Sequence, residues 1–315
     1  MPIKIPNSLP ARQTLEDENI LVMTETRART QDMRPLRIAL LNLMPTKIAT
    51  ETQLTRLLGN TPLQVELTLV QVESHVSKNT PEEHMLAFYK PFSQIAGENF
   101  DGMVITGAPV ENMDFEEVEY WDELCRIMEW SKSHVHSVFH ICWAAQAGLY
   151  YHFGIGKHPL GKKLFGVYRH RVIYRNPVLL RGFDDDFYVP HSRYTESDID
   201  AMLKEPRLKI LSMSDEAGIY ASMTKNGRQI FITGHSEYDR DTLKNEYLRD
   251  VRQGLNTPIP ENYFPDDNPE NTPVMTWRSH ANLLYSNWLN YFVYQTTPYD
   301  LSELNDKSEA FPAME

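Results

Sequence analysis

Apolar positions along this chain follow two rhythms. Short unbroken runs have the length and the flanking turn residues of buried strands: "RIALLNL" from Arg37, "VELTLVQ" from Val65, "DGMVITGAP" from Asp101 and "HSVFHIC" from His136. Between them lie stretches with helical spacing. "ATETQLTRLLGN" is expected to be a helix closed by Gly59, and "FEEVEYWDELCRIMEW" places Val118, Trp121, Cys125 and Met128 on one stripe. "WAAQAGLYYHF" follows the last strand directly. Further on, "GIYASMTKNGRQIFITG" reads as a hairpin in which Asn226 and Gly227 supply positive φ angles. "RSHANLLYSNWLNYFVYQ" carries Leu284, Trp288, Tyr291 and Phe292 as a helix to pack on the core.

Strands alternating with helices predict an α/β fold, a doubly wound, mostly parallel sheet with both faces covered. Residues 1–34 read as an N-terminal arm laid over the core, 35–297 as the catalytic domain with its C-terminal helical extension, and 298–315 as a frayed acidic tail. In such sheets, sites collect at the carboxyl ends of the strands. That rule selects the end of "MVITGAPVE", the Cys142 end of "SVFHIC", and "GHSEYDR" after "QIFITG".

Composition narrows the class. A chain of 315 residues with 41% hydrophobic and 23% charged residues is an ordinary soluble globular protein. The first twenty residues mix prolines and charges where an export signal needs an apolar run, and Val138–Gly156 is too interrupted by His140, Gln146 and His152 for a membrane span. With only two cysteines, Cys125 and Cys142, no disulfide framework is expected, and a reducing cytoplasm is the default. The formal net charge of −12 disfavours nucleic acid as a partner.

The cysteines differ in setting. Cys125 sits on an apolar helical stripe and reads as core. Cys142 stands between a strand and a helix, where N–H groups and the helix dipole stabilise a thiolate; burial in the core is its other reading. His235 and Glu237, at i and i+2, share one side of an extended backbone, so the carboxylate can orient an imidazole that takes the thiol proton. A plain polar turn is the alternative there. His136, His140 and Cys142 also share one side of a strand, but at period two they spread along it, so no metal is expected.

"HICWAAQ" and "GHSEYD" resemble the nucleophile elbow and the histidine-glutamate strand end of the class I glutamine amidotransferase-like superfamily. Within it the chain resembles the homoserine O-acyltransferases of methionine biosynthesis, through "LNLMPTKIATE", "KLFGVYRHRV", "VPHSRYTE" and "NTPVMTWRSHANLLYSNWLNYFVYQ". His140 and Ala144 stand where glutaminase elbows have glycine, and Ser236 where they have proline, so a glutaminase or cysteine hydrolase is the lesser reading. A non-catalytic binding protein on the same scaffold is a further rival, which the intact Cys142, His235 and Glu237 oppose.

The resemblance implies ping-pong acetyl transfer from acetyl-CoA, a co-substrate and not a bound cofactor, to L-homoserine. Cys142 would be the nucleophile, His235 the base and Glu237 its orienter, with the backbone N–H groups of Trp143 and Val110 as oxyanion hole. Lys163, Ser192 and Arg249 match positions that bind the amino-acid substrate, and a homodimer is what the family suggests. Glu111 matches the position of donor selectivity, where succinyl-using members carry glycine. A carboxylate about 5 Å from that of succinyl-CoA would cost roughly 3 kcal/mol at an effective dielectric near 20, on the order of a hundredfold in rate. This makes homoserine O-acetyltransferase the expectation and the succinyl version its rival. Lys157, Lys162, Lys163, Arg169, Arg171 and Arg175 form a basic stretch expected to face the CoA phosphates, with Lys47 as a second cation.

Overall fold

A computed structural model describes residues 3–6, 8–17, 22–24, 34–75, 79–174, 177–298 and 300–304. Its strands are β1 (Ile3–Ile5), β2 (Val22–Thr24), β3 (Leu36–Leu41), β4 (Val65–Gln71), β5 (Tyr89–Pro91) and β6 (Phe100–Ile105). They continue as β7 (Val135–Ile141), β8 (Lys157–Val172), β9 (Asp186–Ser197), β10 (Leu208–Ser214), β11 (Gly218–Thr224) and β12 (Gln229–Ile232). All belong to one sheet in the order β2-β1-β4-β3-β6-β7-β12-β11-β10-β8-β9, with β5 on β4. The half from β2 to β12 is parallel and the remainder antiparallel.

The parallel half is apolar on both faces, which is why its strands read as unbroken hydrophobic runs. Ile38, Leu40, Val104 and Phe139 pack into one core with Leu284, Trp288 and Phe292 of the C-terminal extension. The alternate positions Ala39, Leu41, Met103, Ile105 and Val138 pack into a second core with Trp121, Leu124 and Met128. Gly102 makes room for the first arrangement: a Cβ there would lie 2.9 Å from both Ile38 and the Trp288 ring.

The helices Lys47–Leu58 and Trp143–Phe153 fall where the periodicity places them. Four expectations need correction. Val118 precedes the helix Trp121–His134, in the turn that leads to it, and is buried there by the same apolar cluster. In the hairpin between β11 and β12 only Gly227 has positive φ, 69°, and Asn226 instead accepts the Arg228 N–H at 3.2 Å. The C-terminal helix Arg278–Asn287 widens into a π-helix over Trp288–Tyr294. In the arm, β1 is hydrogen-bonded between β4 and β2, so this part extends the sheet edge. Of the tail, 305–315 lie outside the described residues.

The long β8–β9 hairpin has no counterpart in the periodic reading. A Pro-rich loop, residues 256–273, docks on it at Gly166, whose φ is 152° and where a Cβ would meet the Glu261 carbonyl at 2.3 Å. Glu261 donates to Phe165 and accepts from Val167 at 2.9 and 2.8 Å, an isolated parallel bridge that ties the loop to β8.

Candidate active site

Cys142 directly follows β7 and is the N-cap of the helix Trp143–Phe153, with φ 52° and ψ −114°. A non-glycine residue held there carries about 1–3 kcal/mol of strain. It is fixed by its N–H, which donates to the Ile232 carbonyl at 2.7 Å, and by the buried helix behind it. Helix geometry leaves the first-turn N–H of Trp143 without an intrahelical partner. A Cβ on Gly107 would lie 3.2 Å from the Cys142 Cβ and 3.6 Å from the Trp143 nitrogen, so only glycine keeps that space open. Three residues on, the Val110 N–H has no protein acceptor among the described residues.

His235 reaches Cys142 from the end of β12. Its N–H donates to the Pro190 carbonyl at 2.8 Å, its Nδ1 lies 2.6 Å from Glu237 Oε1, and its ring stacks on Tyr238 at 4.1 Å. Burial opposes a charge on this imidazole. The charges of Cys142 and Glu237, and hydrogen bonds to both, outweigh burial and hold its pKa well above the ordinary value. Ser236 is buried with its hydroxyl 2.5 Å from the Tyr220 hydroxyl, a pairing that a proline could not make. The structure thus brings Cys142, His235 and Glu237 into one buried constellation.

Glu111 lies on the loop after β6. Its Oε2 accepts the Tyr194 N–H at 3.0 Å. Burial raises its pKa, against the Tyr194 N–H and the charges of His235, Lys163 and Arg193. Arg193 is buried with Nη2 on the Ala217 carbonyl at 2.7 Å and on Glu196 Oε1 at 3.0 Å, and its charge is felt at Cys142 and Glu111.

Lys163, Ser192 and Arg249 meet around two acids of the helix Thr242–Arg252. Lys163 Nζ is 2.7 Å from Glu246 Oε1 and 3.3 Å from Asp250 Oδ2, and Ser192 Oγ donates to Glu246 Oε1 at 2.7 Å. Arg249 donates through Nε and Nη2 to Asp250 Oδ1 at 2.9 and 2.6 Å. Lys163 is therefore no solvated cation. Glu246 and Asp250 escaped the sequence reading, although "NEYLRD" puts Glu246, Arg249 and Asp250 at the spacing of one helical face.

The basic stretch needs correction. Acids meet most of its members: Lys162 pairs with Glu261 at 2.8 Å, Arg169 with Asp186 at 2.5 Å and Arg171 with Asp215 at 2.9 Å. Arg175 lies outside the described residues. Lys157 binds the carbonyls of Glu111 and Met113.

Lys47 is buried, donates to the Asn42 carbonyl, and has its pKa lowered to about 8 by burial against the opposing charge of Glu51. It lines a cavity of about 210 Å³ with Gln71, His75, Pro109 and Val110. His140 is enclosed, with Nε2 2.8 Å from Gln229 Oε1 and its ring stacked on Phe231. His136 pairs with Thr296 at 2.9 Å, and no metal-ligating group of three occurs among the described residues. Cys125 remains a structural thiol, its pKa pushed up to about 11 by burial and by Asp122 and Glu116.

Comparison with known proteins places this geometry. A glutamine amidotransferase from Thermotoga maritima superposes with TM-score 0.53 at 12% identity, covering 82% of this chain and 98% of its own. One from Methylobacillus flagellatus gives 0.52 at 12% identity over 82% and 95%. At that identity the likeness establishes the fold alone. Homoserine O-acetyltransferases are much nearer in sequence: that of Acetivibrio thermocellus is 62% identical over 96% of this chain and all of its own length. That of Brevibacillus brevis is 59% identical over 98% of this chain and again all of its own length. The family model described as homoserine O-succinyltransferase matches residues 2–299, and the chain belongs to that family.

Proposed function

We propose that the protein is a homoserine O-acetyltransferase that works through an acetyl-cysteine intermediate. His235 takes the Cys142 proton and the sulfur attacks the acetyl carbonyl carbon of acetyl-CoA. The oxyanion is held by the N–H groups of Trp143 and Val110, and its collapse expels the CoA thiolate, which receives the proton from His235. In the second half His235 takes the proton of the homoserine hydroxyl, whose oxygen attacks the thioester. Collapse returns Cys142, which recovers the proton, and O-acetylhomoserine leaves. The thioester keeps the acetyl group activated between the halves.

The acid-base cluster of Lys163, Ser192, Glu246 and Arg249 suits a zwitterionic amino acid, with the cations meeting its carboxylate and Glu246 its ammonium. The cavity at Lys47 and Val110 suits the acyl-CoA arm. Both cysteines are free, in keeping with a reducing cytoplasm. The scheme uses no cofactor.

The observation that carries the acetyl reading is Glu111, a carboxylate pinned beside His235 where a succinyl tail would need space and a neutral or positive partner. Intact-protein mass spectrometry after mixing with acetyl-CoA or succinyl-CoA, then homoserine, tests it. An acetyl adduct on Cys142, absent from Cys142→Ser and discharged by homoserine, is expected. Labelling by succinyl-CoA alone would reassign the donor, in line with the name of the matching family model. No adduct and no transfer with either would return the protein to the binding class.

A further inference from the structure

The loop that carries Val110 and Glu111 is held by the β8–β9 hairpin from two sides. From the first residue of β8, the Lys157 ammonium donates to the Glu111 carbonyl and, at 2.6 Å, to the Met113 carbonyl. Its charge also sits 5.0 Å from the centre of the Phe115 ring. From β9, the Tyr194 N–H takes the Glu111 carboxylate at 3.0 Å. The two strands are hydrogen-bonded partners, with Lys157 opposite Ser197 and Pro159 opposite Thr195 and a register shift beyond Pro159, so both grips on Glu111 come from the same hairpin. The loop has its own turn, Met113 N–H to Val110 carbonyl at 3.1 Å, but no regular element between Ile105 and Phe115.

An ammonium has three donors and no acceptor, and charge-assisted bonds to carbonyls are stronger than neutral ones. Lys157 spends two of its donors on alternate carbonyls of the loop. In a planar trans peptide the N–H opposes the C=O, so drawing those carbonyls to one side fixes the peptide planes on the C-terminal side of Glu111 and of Met113, and with them the course of the main chain that carries the Glu111 side chain. We infer that Lys157 is a positioning residue for acyl-donor selection, acting through the main chain of the loop to hold Glu111 in place. This rests on the proposed acyl transfer, and it competes with the simpler idea that Lys157 contacts a CoA phosphate.

Lys157→Met and Lys157→Arg, compared with the parent protein, separate the two. The readouts are kcat and KM with acetyl-CoA and succinyl-CoA, and the ratio of Cys142 adducts from an equimolar mixture. Lys157→Met is expected to lower kcat about tenfold or more and to shift the adduct ratio toward succinyl, with KM for acetyl-CoA within about twofold, because misplacing a positioned group acts on the chemical step. Lys157→Arg is expected to recover most of both. A Lys157→Met protein with the parent's kcat and adduct ratio would overturn the inference. So would a raised KM for both donors with the ratio unchanged, which is the signature of a phosphate contact. If Lys157→Met melts before assay, Lys157→Gln, which has donors of shorter reach, takes its place. A parent labelled only by succinyl-CoA would overturn the acetyl assignment, while the change from parent to variant would still decide the role of Lys157.

Discussion

The imidazole of His235 is held between Glu237, whose Oε1 is 2.6 Å from its Nδ1, and the ring of Tyr238 stacked at 4.1 Å. Three residues of one four-residue stretch thus supply base, orienter and platform. The consequence is a fixed ring plane with Nδ1 committed to Glu237, leaving Nε2 for the Cys142 proton.

Replacing Glu237 by Gln keeps the shape but permits the wrong tautomer and withdraws the charge that supports an imidazolium. The expected loss in kcat is about 10²–10⁴-fold, with KM values within a few-fold and an unchanged melting temperature. Steady-state kinetics beside a thermal melt checks this, and near-normal kcat would remove Glu237 from the proton path.

Glu111→Gly removes the half-buried carboxylate whose charge interacts with that of His235. Acetyl transfer should weaken and succinyl transfer rise by on the order of a hundredfold relative to it. Competition between the two donors, read as adduct masses on Cys142, gives the ratio. An unchanged preference would dismiss the electrostatic account of donor choice.

Lys163 lies between two carboxylates with its side chain 5% exposed. Lys163→Met leaves Glu246 and Asp250 facing each other without it, and breaking such a buried pair costs about 3–5 kcal/mol. We expect a lower melting temperature together with a raised KM for homoserine and little change in the KM for acetyl-CoA. A KM effect confined to the CoA substrate would place Lys163 in the other subsite.

Burial lowers the pKa of His136 and His140 to about 4 and of His152 and His170 to about 3, against an ordinary value of 6.5. Below pH 6.5 the unfolded chain therefore binds protons that these folded-state rings refuse. Each contributes stability that is fully present above 6.5 and lost as pH falls toward 4 or 3, at up to about 1.4 kcal/mol per pH unit. His235 is shifted upward and opposes them singly. Melting temperatures measured from pH 7.5 to 4.5 should fall steeply, and a flat profile would show that these rings are solvated in solution.

Much of the parallel half was legible because its strands are buried on both faces and read as hydrophobic runs, and because the helix after Cys142 begins at the last residue of such a run. The β8–β9 hairpin was not. Its sequence, "KHPLGKKLFGVYRHRV", suggests a charged surface because outward cations interrupt the apolar positions Phe165, Val167 and Tyr168. Those cations were read together as one patch, when acids from other parts of the chain meet most of them.

The sequence by itself determined the class of fold, the strand-to-helix setting of Cys142, and the spacing that lets Glu237 orient His235. These rest on local periodicity and on side chains two residues apart. Only the tertiary structure decided that Lys163, Ser192 and Arg249 gather at Glu246 and Asp250, that Lys157 turns from solvent to the carbonyls of the Glu111 loop, and that Arg193 is buried on Glu196 and the Ala217 carbonyl. Those contacts join residues far apart in the chain. Which charge meets which depends on sheet order and hairpin register, and neither has a local signal.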